Sequence, residues 1–480
     1  MSSVFFLFEK QLIPEKEILG TKYDYSTCTG RMNQYAFVTP TNGWVTIDGV
    51  YQRIGDFRNL KTYREYKDCG FDTLLLLGND TYNGEEFETS DLKMNLELAK
   101  AANLKVIVHD KRLHDLTMKE RTLIGNEFES FDALVAYVKE CMTPYMGHPN
   151  FYGITLYDEP RFQHLAAVGE ITRAVKAINE DFFVHTCLLP YFAGVDYGLL
   201  DFQSSLKDEF TKGLSSTEVY EKYIATHLEN TGAKYVAYDN YPIFYTMEEG
   251  YGSKGTMLCF TYFHTLQMVT EVAQAHGAKI DLTIQTYADK GTPMRQCDED
   301  DIRFQAYAAL AFACMNVSYF TYFMFPTRGK GCGICQAIMD DYGNKIVYNE
   351  TQRVNEIAQK VYAVTANFKY AGTDLLANGE EPKLFEQVKR TKFDSIAKLE
   401  VTQPTLVNRL VDETRGVEGF MLVNSSDPAQ KLNDRVELTF KNARGAVVYI
   451  DGNPSYIALE ESKITINITC GDGVFVIPVE

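Results

Sequence analysis

The chain has 480 residues, 45% hydrophobic and 23% charged, with a formal net charge of -18 at pH 7. Those proportions exclude a disordered protein, and the length exceeds what one ordinary core holds. The negative field opposes phosphate backbones and anionic lipid, and no basic patch answers it, so neither a nucleic-acid nor a membrane partner is expected.

Residues 1–30 read as an N-terminal extension. Its longest apolar run, Val4 to Phe8, meets Glu9 and Lys10 too soon for an export signal. No stretch approaches the roughly 18 apolar residues that span a bilayer. A cytoplasmic protein is the expectation, and the ten scattered cysteines fit a reducing compartment. The one close pair, "CGIC" at 332–335, lacks a second pair or histidines at ligand spacing. It reads as ordinary loop thiols, and neither metal nor cofactor is expected.

From residue 31 to 368, short apolar runs alternate with amphipathic stretches, the pattern of βα units on a parallel sheet. A first strand lies between Gln34 and Val50, where "YAFVTP" and "WVTIDGV" compete. Seven more follow: "FDTLLLLGND" (71–80), "LKVIVHD" (104–110), "FYGITLYDEP" (151–160), "FFVHTCLLPY" (182–191), "KYVAYDNYP" (234–242), "KIDLTIQTYA" (279–288) and "VSYFTYFMFP" (317–326). Between them, stretches such as "LKMNLELAKAANL", "VGEITRAVKAINED" and "DEDDIRFQAYAALAFACM" carry apolar residues at three- and four-residue spacing, as amphipathic helices do. Eight such units, with no glycine-rich nucleotide motif after the first strands, predict an α/β fold: a closed (β/α)8 TIM barrel. Beyond the helical "ETQRVNEIAQKVYAVTANF" the pattern changes to short strands broken by Asn, Asp, Gly and Pro. A small C-terminal antiparallel β-sandwich domain over 369–480 is predicted.

Barrels of this type carry their chemistry at the carboxyl ends of the strands. Polar residues gather there: Asn79 and Asp80 after the second strand, His109 and Asp110 after the third, Asp158 and Glu159 after the fourth, Asp239 after the sixth, Gln285 and Tyr287 after the seventh. The competing reading is that Asp and Asn at strand ends cap helices and turns. Paired carboxylates across such a rim are what glycosidic cleavage needs, one to protonate the departing oxygen and one to attack or activate water. Glu159 reads as the proton donor, with Asp239 and Asp158 as further catalytic candidates. An aromatic share of 13% suits stacking against sugar rings; Trp44, Tyr157, Tyr241 and Tyr322 join the candidate substrate contacts. The expected partner is a small carbohydrate substrate, and a homo-oligomer stays open.

The run from "FYGITLYDEP" through "YDNYP" and "LTIQTYA" to "DIRFQAYAALAFACMNVSYFTYFMFP" resembles the catalytic barrel of the β-galactosidase-like glycoside hydrolases of the large (β/α)8 clan. In those enzymes the proton donor ends the fourth strand before a proline, which implies Glu159 here. The resemblance covers roughly residues 55 to 365 and implies hydrolysis of a hexoside. Asp158 stands where that clan has Asn, and Gln285 stands near where it has a nucleophilic glutamate. Three routes therefore stay open: an inverting reaction with Asp239, or less well Asp80, activating water; a substrate-assisted reaction in which Asp158 orients an acetamido group; and a barrel that binds sugar without hydrolysis or serves a lyase or isomerase at the same rim.

Overall fold

In the computed structural model, the structure describes residues 20–40, 42–47, 50–191, 211–248, 252–289, 293–323, 327–329, 332–340 and 342–480. Eight strands close into a parallel barrel: β1 (Gln34–Ala36), β2 (Thr73–Leu75), β3 (Lys105–His109), β4 (Phe151–Asp158), β5 (Phe183–Leu188), β6 (Tyr235–Asp239), β7 (Lys279–Gln285) and β8 (Asn316–Phe320). β1 pairs with both β2 and β8, which completes the ring. Of the two competing first strands, "QYA" enters the barrel. "NGWVTI" (Asn42–Ile47) instead pairs with Val50–Asp56 and with Thr327–Gly329 in a five-stranded sheet built from the loops after β1, β7 and β8. The "CGIC" residues stand on a strand of that sheet, Cys332–Gln336, rather than in a loop.

The outer layer comprises α1 (Leu60–Asp68), α2 (Asp91–Ala102), α3 (Lys111–Thr117), α4 (Phe131–Met142), α5 (Leu165–Ile178), α6 (Ser216–Thr231), α7 (Tyr262–Ala275), α8 (Glu299–Ala311) and α9 (Tyr348–Thr365). Their starts follow local chemistry. Ser90 and Ser130 accept the amides of Lys93 and Ala133, while Ser215–Glu218 and Asp298–Asp301 form reciprocal capping boxes. Each such cap satisfies amides the helix leaves bare, a contribution of about 1 kcal/mol.

Inside the barrel the lowest layer is aromatic. Phe183 lies 4.6 Å from Tyr235 and 5.2 Å from Tyr152, nearly parallel to both. Above it Tyr35 and Asn316 both donate to Asp281, at 2.9 and 3.0 Å, and burial pushes that carboxyl up to about 6. Gly153 of β4 meets the β5 backbone so closely that a Cβ there would lie 1.9 Å from the Phe183 carbonyl oxygen. Only glycine permits that approach.

Nine antiparallel strands follow: β9 (Lys369–Leu376), β10 (Ile396–Glu400), β11 (Thr405–Asp412), β12 (Val417–Asn424), β13 (Asp434–Phe440), β14 (Gly445–Ile450), β15 (Asn453–Ala458), β16 (Lys463–Ile468) and β17 (Gly473–Val479). They form a six-stranded sheet, β9-β11-β12-β17-β14-β15, and a three-stranded one, β10-β13-β16. Val407, Phe420, Leu438, Ile466 and Val476 share a core drawn from both sheets. The six-stranded sheet seats on α8: the Asn408 side chain donates to the Ala311 carbonyl at 3.0 Å, and Arg303 pairs with Asp472 at 2.8 Å.

Candidate active site

The fourth strand decides the site. Thr155 faces inward, its hydroxyl 3.0 Å from His185 Nδ1 in the barrel interior. Strict alternation would then turn Tyr157 inward and Asp158 outward. The register against β5 shifts at this point: Thr155 stands opposite His185, Tyr157 opposite Thr186, and Asp158 opposite Cys187, so Leu156 is an extra residue. A bulge of one residue exchanges the faces of everything after it. Asp158 therefore shares the inner face with Cys187. Tyr157 turns to the helical layer, its ring 5.2 Å from His164 and 5.3 Å from His114.

Glu159 follows with φ of 59°, the left-handed region that a residue with a side chain rarely occupies. Its amide continues the ladder to the Cys187 carbonyl at 2.8 Å. Pro160 disfavours helical backbone at the preceding residue and ends the strand. From α6, the buried Tyr223 hydroxyl donates to the Pro160 carbonyl and accepts from the Leu189 amide at 3.4 Å. The ends of β4 and β5 are thus tied together, and the turn carries Glu159 onto the rim beside Asp158.

Asp239 ends β6 on the same side and is 6% exposed. Burial first, then the charges of Glu159 and Asp158, push its carboxyl well above the usual range, against a hydrogen bond from the Tyr241 hydroxyl. Its Oδ1 has no hydrogen-bond partner. Burial, with the Glu159 charge added, pushes Asp158 up to about 7; burial alone raises Glu159. Both of these side chains keep substantial surface open to water. They are ringed by protein but reached through a mouth, and the water there tempers the desolvation. Burial sets the direction of the shift, and no basic side chain among the described residues lowers either.

An aromatic wall adjoins these acids. Phe320, ending β8, lies 5.9 Å from Tyr241, 5.3 Å from Tyr287 and 5.8 Å from Phe37. Phe37 and Phe320 are absent from the sequence-based candidates, although their place just past β1 and at the end of β8 was the available signal. Tyr322, chosen instead, is fully buried behind the barrel with its ring 4.8 Å from Tyr66 of α1.

Other candidates stand apart from this group. Asp110 caps α3, pairs with Arg112 at 2.6 Å and accepts from Tyr145 at 2.9 Å. Asp80 is buried and accepts from Asn95 at 3.2 Å. His109 bonds to Thr81 at 2.8 Å, and burial, with His114 adding, lowers it to about 4. Gln285 is wholly buried: its oxygen accepts from the Ile243 amide, and its nitrogen donates to the carbonyls of Ile243, Tyr287 and Arg295. Its amide is buried and holds the loops after β6 and β7, so it is not presented to a substrate. The side chains of Trp44 and Asn79 lie outside the described residues. Among the described residues no three His, Cys, Asp or Glu side chains are placed to hold a metal ion, and no helix is long and apolar enough to cross a membrane.

No protein-family model matches the chain, and no curated protein matches its sequence. Solved structures are similar in architecture. A glycoside hydrolase family 5 protein from Bacteroides vulgatus is 11% identical with a TM-score of 0.47, over 94% of this chain and 88% of that one. An α-amylase from Geobacillus thermoleovorans is 13% identical at 0.44, over 94% and 98%. A GH51 arabinofuranosidase from Xanthomonas axonopodis is 6% identical at 0.45, over 95% and 96%. Likeness this distant carries no argument about chemistry, which has to come from the rim itself.

Proposed function

We infer that this protein is a glycoside hydrolase in which Glu159 protonates the departing oxygen of a hexoside and Asp239 activates the attacking water. The observation that carries this is the bulge at Leu156, which turns Asp158 to the inner face with Glu159 and Asp239 near it, where no basic side chain among the described residues offsets them. Glu159 raises both Asp158 and Asp239 by its charge, and acids coupled in this way hold a proton that can be given or taken, so the group supplies both an acid and a base. Glu159, on the open side, is placed to meet a leaving group. Asp239, beneath it, can receive a proton from water. Gln285 is locked in backbone bonds, so a nucleophile at the end of β7 is missing and inversion is the route favoured. The resemblance of the "DEP" and "RFQAYAALAF" segments to β-galactosidase-like enzymes supports a hexoside as substrate.

A panel of aryl α- and β-hexosides, with the first-released anomer followed by NMR, tests the reading. Cleavage with inversion is expected, slowed in Glu159→Gln most for the aryl groups that leave poorly. Retention of configuration would remove Asp239 from the role of base, and an inert protein would remove the hydrolase reading.

A further inference from the structure

This inference rests on the rim as a glycosidase site and concerns the charge of its sugar. Elsewhere in the molecule most buried carboxylates meet a cation or backbone amides; Asp281, one layer down, is the exception, held among the described residues only by Tyr35 and Asn316. Asp110 has Arg112, Asp301 and Asp427 share Arg295, Asp472 has Arg303, and Glu170 takes the amides of Leu123 and Ile124. Asp158, Glu159 and Asp239 have no basic partner among the described residues.

A second observation points to a ligand. Asp239 is more than nine-tenths buried and its carboxyl feels the charges of the rim pair, yet its Oδ1 has no hydrogen-bond partner. A buried acceptor without a donor costs about 1–3 kcal/mol, and more when charged, so an oxygen left open toward a site is one a ligand fills. The three acids do not converge as ligands to one metal ion do. They ring an opening, an arrangement suited to a cation carried on a larger molecule.

We propose that the sugar bound at this rim carries a free amine at C2, a 2-amino-2-deoxyhexoside whose ammonium group donates to Asp239 Oδ1 with Asp158 nearby. The position follows from the chemistry. Glu159 must stand at the glycosidic oxygen, and C2 is the carbon beside the anomeric centre, so its substituent lies among the same acids. An acetylated amine is neutral and leaves their charge unanswered. An ammonium also favours the ionised form of Asp239, which a general base requires. Among the described residues, the groups that titrate around Asp239 are Asp158 from β4 and Glu159 just after it, Cys187 from β5, Tyr238 beside it, Tyr241 beyond β6, Tyr220 and Tyr223 from α6, and Asp281 lower in the barrel. None of these is a cation at neutral pH.

Calorimetric titration of the whole protein at pH 7 with glucosamine and galactosamine, against glucose, galactose and their N-acetyl forms, tests the proposal. The amino sugars are expected to bind at least about tenfold more tightly, with the preference falling to about threefold or less in Asp239→Asn, checked for folding by its melting temperature. Equal or tighter binding of the neutral or acetylated sugars overturns it, as does a preference that persists undiminished in Asp239→Asn. Amine preference without cleavage of any aryl glycoside would sink the hydrolase reading alone. Cleavage without that preference would sink this proposal alone.

Discussion

Two groups of acids sit within one molecule and are built oppositely. Where the C-terminal strands meet α8, Arg295 grips Asp301 with two bonds of 2.8 Å and reaches Asp427 at 3.1 Å. Burial pushes Asp301 up to about 6 against that pull, which leaves it charged at pH 7. At the rim, burial pushes Asp158 up to about 7, and no basic side chain among the described residues resists. The difference separates acids that join two parts of a fold from acids kept available: the first are finished by partners in the chain, while the second await a proton or a ligand.

Removing a partner from the finished group should do the greatest damage. Arg295→Met strands two buried carboxylates and is expected to destabilise the fold by about 3–5 kcal/mol, read from chemical denaturation. A cost below about 1 kcal/mol would mean that the junction is held by packing alone.

At the rim the same kind of change should spare the fold and strike activity. Glu159→Gln is expected to lower kcat/KM on substrates with poor leaving groups by about 10² or more with little change in melting temperature. Activity within a few fold of the parent would take Glu159 out of the donor role.

Stability against pH sharpens the contrast further. An acid whose folded pKa is raised keeps its proton in the native state after the unfolded chain has lost its own, so stability falls as pH climbs from the unfolded value near 4 toward the folded one. For Asp158 that window runs up to about 7. The triple change Asp158→Asn, Glu159→Gln, Asp239→Asn should flatten this decline, measured by denaturation at pH 5 and 7.5. An unaltered slope would mean that other groups, such as Asp281, cause it.

The smallest effect belongs to the exposed edge of the junction. Lys431 meets Asp298 at 2.5 Å and Asp300 at 2.8 Å, all three at least about one-third exposed. Lys431→Ala should cost no more than about 1 kcal/mol and less at high salt. A larger, salt-insensitive loss would show that the pairing is shielded from solvent.

Much of this is legible in the sequence. Eight apolar runs and the spacing of the helices pointed to the barrel because both signals are local: a strand declares itself over a few residues and a helix by its apolar stripe. "DEP" marked the fourth strand's end, and "YDNYP" the sixth's. Asp110 shows where the same logic misled, because a strand-end aspartate that caps the next helix looks identical in sequence to one that faces a substrate. Tyr322 was misplaced for a related reason: β8 stops at Phe320, and two residues farther the chain has left the mouth for the helical layer.

The sequence by itself determined the alternation of strands and helices, the run of antiparallel strands after residue 369, and the placing of two adjacent acids ahead of a proline. Only the tertiary structure decided that those acids belong with Asp239. Which face a strand residue takes depends on its register against the neighbouring strand, and the extra residue at Leu156 exists only relative to β5. Register is a relation between distant segments, so no local pattern around Tyr157 or Asp158 discloses it.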